Sequence, residues 1–116
     1  MTAKRKPKIL WVCSRPISVS FTDEEFVHEG ERVFATFDRF SSQILVDGSV
    51  DEANQRSSFL HEVFHAIIHW TIGSDLAQVA PGKIEELFCR SAETAWFDVL
   101  RDPRNRWFAE YLLADD

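Results

Sequence analysis

Only two cysteines, Cys13 and Cys89, occur in the 116 residues, and they form no Cys-x-x-Cys pair. That argues against a zinc site built on thiolates and against the disulfide framework of small secreted domains. Each cysteine has apolar neighbours and reads as a small core residue. Long apolar runs are missing too. Ile9 to Val12 is too short for the core of a signal peptide, and no segment approaches the roughly 20 residues a membrane-spanning helix needs. A cytoplasmic setting and no membrane partner are expected. Positive charge is scarce, with 13 Lys and Arg against 19 Asp and Glu and a net charge of −6. Lys4, Arg5, Lys6 and Lys8 crowd the start, so the remaining body is more acidic still and should repel nucleic acid. Repeats and low-complexity tracts are absent.

What is present is aromatic. Ten Phe and four Trp supply enough large apolar surface for one packed core in a chain of this length. The organisation expected is a flexible basic segment over residues 1–8 and a single domain over 9–116. Strands are predicted at 9–14 and 17–21, with Pro16 between them, and at 32–37 and 42–46 around a turn at Asp38-Arg39. Thr22 followed by Glu25 resembles a capping box and predicts one helical turn ending near Gly30. Ser49 or Asp51 can cap a long helix over 52–71, stopped by Gly73. A loop at 74–82, a helix over 83–101, a break at Asp102-Pro103 and a helix over 104–113 complete the chain. Strands first and helices after give an α+β fold, with a small N-terminal sheet packed on the long helix.

Chemistry concentrates in that helix. His61-Glu62-Val63-Phe64-His65 is the pattern H-E-x-x-H. Residues four apart lie one turn above each other, about 5.4 Å along the axis, so two imidazoles can grip one zinc ion while Glu62 reaches a water on it. Glu62 is the only formally charged residue between Ser57 and Ser74. Apolar neighbours cover more than half the circumference, which predicts a largely buried helix and a carboxylate that a cation would compensate. A catalytic zinc site normally has three protein ligands. Ile68 and Thr71 stand where an extended motif would place Gly and a third His. His69 continues the histidine stripe, but a straight helix cannot return it to an ion held by the first two. A glutamate from the next helix remains. Glu85, on the flank of that helix's apolar stripe, is the first choice and Glu86 the second. His69, His28 and Tyr111 are candidate donors to an oxyanion.

The segments Ile44-Leu45-Val46-Asp47, Leu60 to His69 and Ile84-Glu85-Glu86 together resemble minimal zincin metallopeptidases. The likeness is to ImmA/IrrE-type peptidases and small phage-encoded proteins related to them, and it covers about residues 42–103. In place of that family's E-x-x-A-N-x-F-A follower, Glu85 to Ala92 reads E-E-L-F-C-R-S-A. The resemblance implies a zinc peptidase acting on a peptide or protein, with Glu62 as general base and the gluzincin separation from His65 to Glu85. If the strand 42–46 lies at a sheet edge, it can pair with an extended substrate. Two rival readings stand beside this: a weak or inactive zincin-like module that binds a protein partner, and a metal-free interaction protein with Trp96 and Trp107 on its surface. Oligomeric state is open.

Overall fold

The computed structural model describes residues 6–71 and 81–114, with His28, Pro81, Gly82, Ile84 and Glu85 described by their backbone only. The expected stop at Gly73 and the loop before Pro81 lie outside the described residues. The fold is α+β. A four-stranded sheet in the order β1-β2-β6-β5 is built from β1 (Lys8–Val12), β2 (Arg15–Thr22), β5 (Ala35–Asp38) and β6 (Gln43–Asp47). A separate hairpin pairs β3 (Phe26–His28) with β4 (Glu31–Val33). Among the described residues three α-helices follow: α1 (Glu52–Thr71), α2 (Pro81–Arg101) and α3 (Arg106–Leu113), with a 3₁₀ turn at Pro103–Asn105 before the last.

Strand alternation decides which face is buried. Leu10 and Val12 of β1, Ile17 and Val19 of β2, and Ile44 and Val46 of β6 are all fully buried on one face. Phe59, Val63, Ala66 and Ile67 of α1 close over them. The spacing of those four is that of one helical stripe. Asp51 caps α1, its carboxylate accepting from the Asn54 N–H at 3.4 Å. Ser49 instead bonds Asp47 through its N–H and its hydroxyl. An aromatic cluster joins the C-terminal helices to this core. The Phe59 ring meets Phe21, Trp107, Phe108 and Tyr111, and Phe64 stacks on Trp96. Trp96 and Trp107 are thus half-buried against the core rather than free on the surface.

Several expected elements differ. The helical turn predicted from Thr22 and Glu25 is the β3–β4 hairpin. Glu29 and Gly30 both have positive φ, at 53° and 82°, the geometry of a two-residue type I′ turn, which outweighs the weak 3.4 Å contact from the Glu24 N–H to Thr22. The strand expected at 32–37 is broken at Phe34, where the chain passes from the hairpin to the main sheet. The first strand stops at Val12, because Cys13 and Ser14 (φ 52° and 61°) form another tight turn. Pro16 lies inside β2 rather than interrupting it. The side of Pro16 that lacks an N–H looks towards β6, whose pairing begins only at Ser18, and its carbonyl accepts from the Ser42 hydroxyl at 2.7 Å. Lys8 already belongs to β1, with its ammonium 5.2 Å from the Trp107 ring centroid. Cys89 is exposed and Cys13 half-buried, so neither is a full core residue.

The strand 42–46 is not an edge. It is β6, flanked by β2 in parallel and β5 antiparallel. The two edges are β1 and β5. Val12 and Arg15 flank the first turn as a hydrogen-bonded pair, so the next residue, Trp11, turns its N–H and C=O out of the sheet. Asn105 takes both, accepting from the Trp11 N–H and donating to its carbonyl at 2.8 Å each, and the Trp107 indole donates to the Ile9 carbonyl at 3.0 Å. The β1 edge is therefore closed by side chains from the C-terminal end of the chain.

Candidate metal centre

The burial of one α1 stripe turns another outward along β5. His61 and His65 lie on it, exposed, with Glu62 half-buried between them. The expectation of a largely buried helix holds only for its inner face. Gln55, Phe59, Val63, Ala66 and Ile67 are buried, whereas Leu60, Phe64 and Ile68 are only half so. Glu62 is correspondingly less desolvated than the sequence suggested.

The two Nε2 atoms stand 3.0 Å apart, with ring centroids at 4.6 Å and planes at 82°. A tetrahedral zinc ion with Zn–N bonds of 2.0–2.1 Å separates two imidazole nitrogens by about 3.3 Å. The pair thus needs to open by only a few tenths of an ångström. Ligand atoms of His61, Glu62 and His65 all lie within 4.8 Å of one another, and these three residues could hold a metal ion. Nitrogen and carboxylate donors in that arrangement fit a divalent transition metal.

The other predicted residues fall as follows. His69, one turn on, is exposed, lines the same cleft and leans on Trp70 at 6.2 Å. Glu85 sits in the first turns of α2, and its side chain lies outside the described residues, as does that of His28. Glu86 is exposed and accepts a 2.8 Å bond from Arg90, outside the His61–Glu62–His65 group. Tyr111 packs its ring on Phe21 and Phe59, away from the histidines.

Sequence reasoning missed the groove. A cleft of about 640 Å³ runs between α1 and β5, lined by His61, Glu62, His65 and His69 on one side and residues 33 and 35–40 on the other. A second cleft continues past His61 and Glu62 towards Arg32 and Ser57. The Asp47 N–H donates to the Phe34 carbonyl at 2.8 Å, which sets the phase of the β5–β6 ladder. Alternation then directs the main-chain groups of Thr36 and Asp38 to β6 and those of Ala35 and Phe37 outward, along the groove. Ala35 is itself buried, so Phe37 is the more accessible of the two. One signal was present in the sequence: Phe40 is a large apolar residue inside an otherwise polar turn.

Arg32, which lines the second cleft, donates to the fully buried Asp47 carboxylate at 2.9 Å. Burial alone would push the Asp47 carboxyl up. Its bonds from Ser49 and Arg32 outweigh that and hold it below the usual carboxylate range. Among the described residues no helix is long and apolar enough to cross a membrane. No protein-family profile, curated protein or solved structure matches this chain.

Proposed function

We propose that this protein is a zinc-dependent metallopeptidase that binds an extended polypeptide along β5. The observation that carries the reading is a juxtaposition. Among the described residues, the edge of the four-stranded sheet that Asn105 and Trp107 leave open is the one that runs beside His61, Glu62 and His65. An open edge accepts a strand through main-chain hydrogen bonds, and the histidines lie where that strand would pass.

His61 and His65 would hold the ion, with Glu85 the first choice for a third protein ligand and Glu86 the second. Zinc held there would acidify a water towards a pKa near 7 and polarise the scissile carbonyl. Glu62 stands next to both ligands and acts as general base, taking the proton of the attacking water and passing it to the departing amine. Phe37 orients the substrate backbone through its outward N–H and C=O. His69 lines the cleft one turn beyond His65 and is the candidate on the described helix face for a hydrogen bond to the substrate.

The open edge also favours a second reading, a strand-docking module in which the metal only stiffens the site. Two variants separate the readings. Metal content by elemental analysis and hydrolysis of a denatured protein substrate are measured for Glu62→Gln and His65→Ala. In a peptidase, Glu62→Gln keeps stoichiometric metal and loses hydrolysis by roughly 10²–10⁴-fold, while His65→Ala loses both. Wild-type protein that takes up no zinc after reconstitution would remove the leading reading.

A further inference from the structure

We propose that the end of the groove walled by Phe37, Phe40 and His69 selects a bulky apolar side chain, aromatic or large aliphatic, on the amino side of the cleaved bond. This rests on the peptidase reading and adds a substrate preference to it.

Phe40 is 87 % exposed and lines the cleft from the β5–β6 turn. A ring left in water at a groove rim gains most from an apolar partner. Phe37 forms a firmer inner wall, half-buried with its edge against Trp70 at 5.8 Å. The turn carrying Phe40 brings little net charge to choose a charged side chain. Arg39 lies 4.9 Å over the Phe40 ring, while the neighbouring Asp38 carboxyl stays anionic, held low by the N–H groups of Phe40 and Ser41. The two charges offset each other, and apolar contact is what remains to discriminate.

The sheet edge fixes the occupant's conformation and register. Outward main-chain groups of Phe37 call for an extended backbone, and a residue paired opposite Phe37 points its side chain to the same face, that of α1. That face holds His69 and the Phe37 ring. The clefts place the Phe40 end of β5 beside His69 and the Arg32 end beside Ser57, so β5 and α1 run in the same sense. Antiparallel pairing is the more stable per residue, and a peptide so paired with β5 has its amino-terminal half at the Phe40 end. The residue opposite Phe37 then precedes the bond presented to His61 and His65.

The test uses the full chain reconstituted with zinc and blocked hexapeptides of alanine and serine in which one phenylalanine is walked through each position. Cleavage sites are read by mass spectrometry and kcat/KM is taken for each peptide. Expected is a preference of roughly 10- to 100-fold for phenylalanine over alanine immediately before the cleaved bond. Phe40→Ala should shrink that ratio to within about threefold. Leu113→Ala, an equally exposed apolar residue on α3, should leave the ratio as it is. No preference, a preference after the cleaved bond, or one that survives Phe40→Ala overturns the proposal. Absence of all hydrolysis would sink the peptidase reading instead. Zinc-loaded Glu62→Gln titrated with the same peptides in a calorimeter then decides this one. Tighter binding of a phenylalanine peptide, lost in the Glu62→Gln/Phe40→Ala double variant, sustains the apolar subsite, and equal binding of all peptides overturns it.

Discussion

Replacing Asn105 tests the claim that one sheet edge is closed from the far end of the chain. Asn105 is 1 % exposed and its side chain makes three hydrogen bonds: it accepts from the Trp11 N–H at 2.8 Å and donates to the carbonyls of Trp11 at 2.8 Å and Val99 at 2.9 Å. In Asn105→Ala those partners lose their bonds and a small cavity forms. Three bonds at about 1 kcal/mol net each, with partners left partly out of reach of water, give an expected loss of roughly 2–4 kcal/mol. Asn105→Asp keeps the size and the acceptor for Trp11, but sets a carboxylate oxygen against two carbonyls. The folded-state pKa of the introduced carboxyl should be raised. When protonated, that carboxyl can still donate to one carbonyl, so this variant should approach wild type below about pH 4 and lose stability as pH rises through the folded value. At pH 7 it should be less stable than Asn105→Ala. Urea denaturation followed by tryptophan fluorescence, repeated across pH, measures both. Losses under about 0.5 kcal/mol in Asn105→Ala, or equal stability of the two variants at every pH, would refute the reasoning.

Other outcomes follow from the same structure. The folded Asp47 carboxyl is held below its unfolded value by Ser49 and Arg32 despite burial. Its stabilising contribution is therefore present above about pH 3.9 and lost as pH falls through the folded value. Ser49→Ala removes the hydroxyl bond to that carboxylate while leaving the one from the backbone N–H, and should move the acid-unfolding midpoint, followed by circular dichroism, to higher pH. Zinc should raise the thermal midpoint of the wild type, by about 2.7 kcal/mol of stabilisation at a hundredfold excess over Kd, and the effect should vanish in His65→Ala when scanned by calorimetry. Asp51→Ala removes the α1 cap and should cost on the order of 1 kcal/mol in chemical denaturation without changing metal stoichiometry.

What the sequence revealed was local. The helix expected over 52–71 has those bounds, and the motif within it places His61 and His65 one turn apart with their nitrogens adjacent. Periods of two and 3.6 are properties of a short segment, so β2, β6, α1 and α2 could be read without their neighbours. The misreadings have a common origin in the turns. Cys13, Ser14 and Glu29 adopt positive φ without being glycine or asparagine, so composition did not announce those hairpins. The broken strand at Phe34 depends on Asp47, a residue from another strand that claims the Phe34 carbonyl.

The chain's own order of residues determined the α+β class, the buried stripe of α1 and the pairing of two imidazoles with a carboxylate, because each follows from repeat distances of about one turn or one pleat. Only the tertiary structure decided that β6 lies inside the sheet, that Asn105 closes β1 from 94 residues away, and that among the described residues no strand pairs with the outer edge of β5 beside the histidines. Those outcomes are set by which strands find each other across long loops, where the energy belongs to pairs of segments and leaves no periodic trace in either one.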